Sequence, residues 1–94
     1  MDDTPQVNFV PERSRFELTL KGDLIGFMEV RDNGDTKLLP YIEIAQRYRG
    51  GAYSSTLLKE ALGQLKEEGA KVVPLCPFIA SYFRRHPEFR AMMI

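Results

Sequence analysis

The hydrophobic period of this chain changes once, and the change falls on a glycine-rich junction. From Arg15 to Lys21 apolar and polar residues alternate strictly, with Phe16, Leu18 and Leu20 on one side. That is the pattern of a half-buried antiparallel strand. From Leu57 onward the spacing is helical: Leu57, Leu58, Ala61, Leu62 and Leu65 share one face. Gln46-Arg47-Tyr48-Arg49-Gly50-Gly51 lies between the two regimes. A chain that alternates and then turns helical can bury both apolar faces only by laying the helix on the sheet.

The punctuation divides the rest. Gly22-Asp23 reads as a hairpin turn, and Leu24 to Arg31 as a second strand. Asp32-Asn33-Gly34-Asp35 carries Asn-Gly, the pair that favours a type I′ hairpin. Thr36 to Ile44 is a third strand interrupted by Pro40, which donates no ladder hydrogen bond and so predicts a bulge or an unpaired edge. Simple alternation past Pro40 puts Ile42 and Ile44 on one side and Tyr41 and Glu43 on the other. The long helix is expected to begin near Gly51–Tyr53 and to end with Gly69 at C′. Gly63 inside it costs about 1 kcal/mol relative to alanine unless close packing requires it. Lys71 to Leu75 is a short, nearly all-apolar strand, Pro77 opens a second helix through about Arg85, and Pro87 opens a last turn to Met93.

Residues 1–6 read as a flexible tail, and Val7 to Val10 is apolar without a clean period. The expectation is a single domain over 7–94 with the order β-β-β-α-β-α. An antiparallel meander, a crossover helix and a strand added in parallel give a mixed α/β sheet. The chain has 94 residues, 13 Lys/Arg against 13 Asp/Glu, and one cysteine. Zero formal charge argues against a dedicated nucleic-acid binder, and a lone cysteine excludes a disulfide-stapled scaffold. No apolar run reaches the roughly 20 residues of a membrane span. The Met1-Asp2-Asp3-Thr4-Pro5 start has no cationic or apolar leader, so the expected location is cytoplasmic. With one His and one Cys, no metal site is expected.

The junction carries the clearest chemistry. The first amides of a helix have no intrahelical partner, and the helix dipole adds positive charge there. Gly50 and Gly51 allow close approach, Arg47 and Arg49 add charge, and Ser54 and Ser55 offer hydroxyls. The combination suits an anion, above all a pyrophosphate. The competing reading is a tight strand-to-helix turn with solvated arginines. Neither a Walker loop nor a G-x-G-x-x-G fingerprint is present.

Arg47-Tyr48-Arg49-Gly50-Gly51-Ala52 resembles the Q/R-x-x-G-x-G/A loop of the GNAT N-acetyltransferases. Lys71-Val72-Val73-Pro74-Leu75-Cys76-Pro77-Phe78 and Arg84-Arg85-His86-Pro87 resemble the Pro-x-Cys and His-Pro blocks of the compact single-domain subgroup. The resemblance spans about residues 7–94. It implies acetyl-CoA as acyl donor, with the backbone amides of Arg49, Gly50, Gly51, Ala52, Tyr53 and Ser54 on the pyrophosphate. It also implies Ile42, Glu43 and Ile44 as the splayed strand along the pantetheine arm, and Cys76, Pro77 and Phe78 beside the acetyl group. The chain departs from that subgroup where a His-Thr pair is usual; Tyr41 and Ile42 stand there. Ala52 replaces the second loop glycine, as the pattern allows.

Three side chains are candidates for catalysis. Glu43, on the strand leading to the loop, is the general-base candidate; a surface carboxylate is the alternative. Cys76 is either a nucleophile or a wall of the acyl pocket. Tyr82, like Tyr41, is a candidate donor to the departing thiolate or a half-buried aromatic. Arg84 and Arg85 either reach the adenosine 3′-phosphate or form a solvated helix end. His86 is expected to cap the second helix or pack beside Pro87. The leading function is transfer of acetyl from acetyl-CoA to a primary amine, on a small molecule or a protein lysine, by direct attack in a ternary complex. So short a chain leaves only a shallow acceptor groove, which a homodimer could complete. The alternatives are a non-catalytic CoA or acyl-CoA binding module and an interaction domain using the basic turns.

Overall fold

The computed structural model describes residues 4–94. The expected tail therefore lies partly outside the described residues, at 1–3, and Gln6 already opens a strand. The strands are β1 (Gln6–Val10), β2 (Arg15–Leu20), β3 (Asp23–Glu29), β4 (Arg31–Asn33), β5 (Thr36–Leu39), β6 (Ile42–Ile44) and β7 (Lys71–Pro74). The helices are α1 (Tyr53–Glu67) and α2 (Pro77–Arg85), followed by a 3-10 turn over Pro87–Met92.

Two of the three expected strands are each broken in two. One sheet has the order β1-β2-β3-β6, the other β4-β5-β7. Leu24–Arg31 parts at Val30, whose amide donates to Ser14 O at 3.0 Å while its carbonyl accepts from Ser14 Oγ. Thr36–Ile44 parts at Pro40 and Tyr41, the interruption expected from a residue without an amide hydrogen. The first piece, β5, lies antiparallel to β4 and parallel to β7, with Thr36 opposite Lys71 and Leu39 opposite Pro74. The second, β6, lies antiparallel to β3. The parallel strand after the crossover helix is thus where it was expected.

β1 is the element that periodicity misses. It forms because Val7 to Val10 pair with Leu18 to Arg15, not because its own residues alternate. Only Val7 packs against the core, while Phe9 stays exposed and sets its ring edge-on to Phe16 at 5.1 Å. The hairpins are also centred one residue away from expectation. The first turns on Lys21 and Gly22, both at positive φ as a type I′ turn demands. The second turns on Gly34 and Asp35, with only Gly34 at positive φ, so it is not type I′.

α1 lies across the first sheet and buries the five predicted residues, Leu57, Leu58, Ala61, Leu62 and Leu65. Full burial of each leucine contributes about 1.5–3 kcal/mol. The helix ends as expected: Gly69 N donates to Lys66 O and Ala70 N to Leu65 O, both at 3.0 Å, the paired bonds of a Schellman cap. α2 ends at His86, whose Nδ1 lies 2.8 Å from Tyr82 O and whose ring stacks on Tyr82 at 3.7 Å. No helix among the described residues is long and apolar enough to cross a membrane.

A Cβ placed at Gly63 would meet nothing within 4 Å, so packing does not require glycine there. Gly63→Ala should raise stability by about 0.5–1 kcal/mol by restricting the unfolded chain. An upward shift of the urea midpoint checks this, and a lower midpoint would contradict it.

Candidate functional site

The site arises where the two halves of the third strand part company. β5 and β7 remain paired up to Leu39, whose carbonyl accepts from both Leu75 N (3.1 Å) and Cys76 N (3.2 Å) and so closes the ladder. Beyond it, β6 turns to β3 and the chain after β7 turns into α2. Among the described residues β6 is an edge strand with no partner on its second side. The gap is a cleft of about 370 Å³ lined by Tyr41 to Ile44, Tyr48 to Gly51, Ser54, Cys76 and Phe78.

β6 is drawn close to β3 by Gly26, opposite Ile44. A Cβ at Gly26 would lie 2.6 Å from Ile44 Cδ1 and 2.9 Å from Glu43 O. A glycine in mid-strand is the sequence signal that could have marked this close approach. Ala45 N continues the hold, donating to Ile25 O at 2.7 Å.

At the other end of the cleft stands the start of α1. Thr56 N is bonded to Ala52 O at 2.9 Å, but the amides of Ala52, Tyr53, Ser54 and Ser55 donate to no main-chain carbonyl of the described residues. No side chain caps the helix at Ala52. Gly50 holds φ +85, the left-handed region that a side chain would strain. Gly51 is different: a Cβ there would meet only Tyr53 Cδ2 at 3.9 Å and Tyr48 O at 4.0 Å. A methyl group would fit over Gly51 in ordinary van der Waals contact.

The arginines are partly committed. Arg49 lines the cleft and donates through Nε to Ile44 O at 2.7 Å, tying the loop to β6. Arg47 lies over the Tyr48 ring at 5.4 Å and does not line the cleft. The Tyr48 ring meets Tyr53 edge-on at 5.7 Å. Tyr48 is a lining residue that sequence reasoning did not single out.

At the mouth, Tyr41 Oη donates to Glu43 Oε1 at 2.5 Å, so the two share a face as alternation predicts. That carboxylate bond and the Glu43 charge push the Tyr41 phenol above its ordinary value; Glu29 adds to this and Arg49 opposes it. The register sets Glu43 beside Phe27, which stands between it and Glu17, and Glu29 beside Arg15. Burial of the Glu17 carboxyl pushes its pKa up, but hydrogen bonds from Arg15 (2.8 Å) and Arg13 (3.1 Å) outweigh that and hold it below the ordinary value.

Of the remaining candidates, Cys76 is half-buried and stands as the N-cap of α2, and Phe78 lines the cleft at 45% exposure. Pro77 sits between them at the first helical position. Tyr82 is not brought to the cleft. It is 3% exposed, packed against His86 and Phe89, and burial raises its phenol above the ordinary value. As a donor to a thiolate in the cleft it is therefore replaced by nothing on α2. Arg84 and Arg85 also stay away from the lining, at the last turn of α2, roughly 10 Å along the helix axis from Phe78. They are exposed, which fits the solvated helix end. Among the described residues no group of three His, Cys, Asp or Glu side chains gathers as a metal site.

A mixed sheet parted at an edge strand leaves a cleft with an uncapped helix start at one end. A family model described as GCN5-related N-acetyl-transferase matches residues 15–92, and the chain belongs to that family of acyltransferases. No curated protein matches the chain. Among solved structures it is similar to a GCN5-like N-acetyltransferase from Staphylococcus aureus, with TM-score 0.73 and 11% identity, over 100% of this chain and 91% of that one. A ribosomal-protein-alanine N-acetyltransferase from Brucella melitensis biovar Abortus 2308 gives TM-score 0.63 and 16% identity, over 77% and 59%. An N-acetylglutamate synthase from Neisseria gonorrhoeae, complexed with coenzyme A and N-acetyl-glutamate, gives 0.61 and 16%, over 77% and 18%. At these identities the likeness is one of fold.

Gly26→Ala should push β6 off β3 and cost about 1–3 kcal/mol, because the clash includes the backbone oxygen of Glu43. Urea denaturation reads it; an unchanged midpoint would show that β6 does not depend on that approach.

Proposed function

We propose that this chain transfers the acetyl group of acetyl-CoA to a primary amine by direct attack in a ternary complex. One observation carries the reading: the cleft begins at first-turn amides that no main-chain carbonyl of the described residues accepts from, beside a Gly51 with room for a side chain, and it ends at Cys76. Uncapped helical amides bind phosphate oxygens, and the helix dipole favours the negative charge. The residues present therefore fit a CoA diphosphate. In this reading Gly50, Gly51, Ala52, Tyr53 and Ser54 hold it through their amides, with Arg47 and Arg49 contributing charge.

The free edge of β6 offers the main-chain groups of Ile42 to Ile44 to an extended amide-bearing arm, as one strand offers them to another. Bound acetyl-CoA supplies an activated thioester carbonyl. Cys76 and Phe78 wall the far end, where an acyl group would lie. Glu43 is the carboxylate in reach of the cleft mouth, and its role is to take a proton from the incoming ammonium, since only the neutral amine has a lone pair. The nucleophile is the substrate's own nitrogen, so Cys76 need form no covalent intermediate. The shallow mouth at Tyr41 suits an exposed amine, on a small molecule or a lysine side chain. The carboxylate placed at that mouth favours a transferase over a non-catalytic CoA-binding module.

Gly51→Glu tests the anchor. Its φ is not in the left-handed region and its Cβ has room, so the fold should survive. Calorimetric titration should show acetyl-CoA affinity falling about 100-fold, ~2.7 kcal/mol, as a carboxylate takes the phosphate's place. Equal affinity in both proteins would remove the site. Amine-dependent release of CoA by the wild type separates the transferase from a binding module, which would bind and release nothing.

A further inference from the structure

The Tyr41–Glu43 pair offers more than a base with a neighbour. The two residues are i and i+2 on β6, both line the cleft, and the phenol donates to one carboxylate oxygen at 2.5 Å. No ion pair reaches Glu43 among the described residues, so this hydroxyl is its one bonded partner. Tyr41 is itself located. Its ring lies 5.9 Å from that of Phe27, and Phe27 is in turn covered by the Arg15 guanidinium at 4.1 Å. Its backbone carbonyl accepts from Glu29 N at 2.9 Å.

We propose that Tyr41 is a positioning residue for acetyl transfer, clamping Oε1 of Glu43 so that Oε2 alone is presented to the ammonium. The inference rests on Glu43 acting as the base in the reading above. A carboxylate that is free to rotate offers either oxygen in many directions. A clamped one offers one lone-pair direction at a fixed place, which is worth most when the acceptor groove is shallow and positions the amine poorly. Proton balance is simple: the ammonium proton passes to Oε2 and Tyr41 keeps its own. The other charged or titratable groups facing the pair are Glu29 on β3, Arg15 and Glu17 on β2, Tyr48 and Arg49 in the loop, and Cys76 across the cleft.

Two readouts test this, and one needs no acceptor. In carbon-13 NMR of ring-labelled tyrosine, Glu43→Gln should lower the pH at which Tyr41 ionises, because the carboxylate is what holds the phenol protonated. An unchanged Tyr41 titration overturns the clamp. In turnover of acetyl-CoA with n-butylamine, Tyr41→Phe should lower kcat about tenfold while KM for acetyl-CoA stays unchanged. Tyr41 is 43% exposed, so the phenylalanine should fold normally. A Tyr41→Phe protein with wild-type kcat overturns the proposal while leaving Glu43 as base. Wild-type turnover in Glu43→Gln overturns both.

Discussion

Pro40 cannot donate a hydrogen bond, and the whole site follows from what the chain does there. A strand that continued through this point would have stayed in one sheet. Instead its first half is held by β4 and β7 and its second half by β3. The parting is fixed from both sides. Leu39 O collects the last two amides of the β7 side, and Gly26 lets β6 settle against β3 at a distance no side chain would permit. A matching break in the neighbouring strand is bridged by Ser14, which bonds both polar groups of Val30. The cleft is therefore a consequence of backbone hydrogen bonding, with side chains decorating a gap already made.

The rigid layer beneath is what makes that gap useful. α1 buries its leucine face on the sheet, and its opening turn is thereby held at the end of the cleft with amides that no main-chain carbonyl of the described residues accepts from. Unsatisfied donors at a helix start are common on surfaces, where water takes them. Here they sit beside a left-handed Gly50, a Gly51 with room for a side chain and, among the described residues, an edge strand unpaired on one side. Arg49 joins the two elements, since its Nε bond to Ile44 O couples the loop to β6. A ligand that orders the loop would also order the strand that carries Glu43.

Much of this is legible in the sequence, and the parts that are not share a physical cause. The α1 face, its Schellman end, the interruption at Pro40 and the helix over Pro77–Arg85 all depend on local pattern, and local pattern is what a single chain displays. β1 was not legible because its pairing with β2, not its own alternation, makes it a strand. The turn centres shifted because hairpin register is set by cross-strand partners as well as by Asn-Gly. Within the site, the glycine-rich loop is visible in residue type, whereas Cys76 was reached only through the Pro-x-Cys resemblance. Tyr82 in the core and Arg84 and Arg85 at a solvated helix end are the alternatives the sequence left open, because a helix's direction off the sheet decides which of its turns meets the cleft, and sequence spacing does not state that direction. α2 offers the cleft its first turn, at Phe78, and turns Tyr82 into the core.

In the proposed function the amides opening α1 grip a diphosphate. A nitrogen-15-edited NMR titration with coenzyme A reads those amides one by one. Downfield shifts and slowed exchange confined to Gly51, Ala52, Tyr53 and Ser54, with the end of α2 unmoved, are the result expected. Saturable binding that leaves these four unperturbed and shifts Arg84 and Arg85 instead would contradict it.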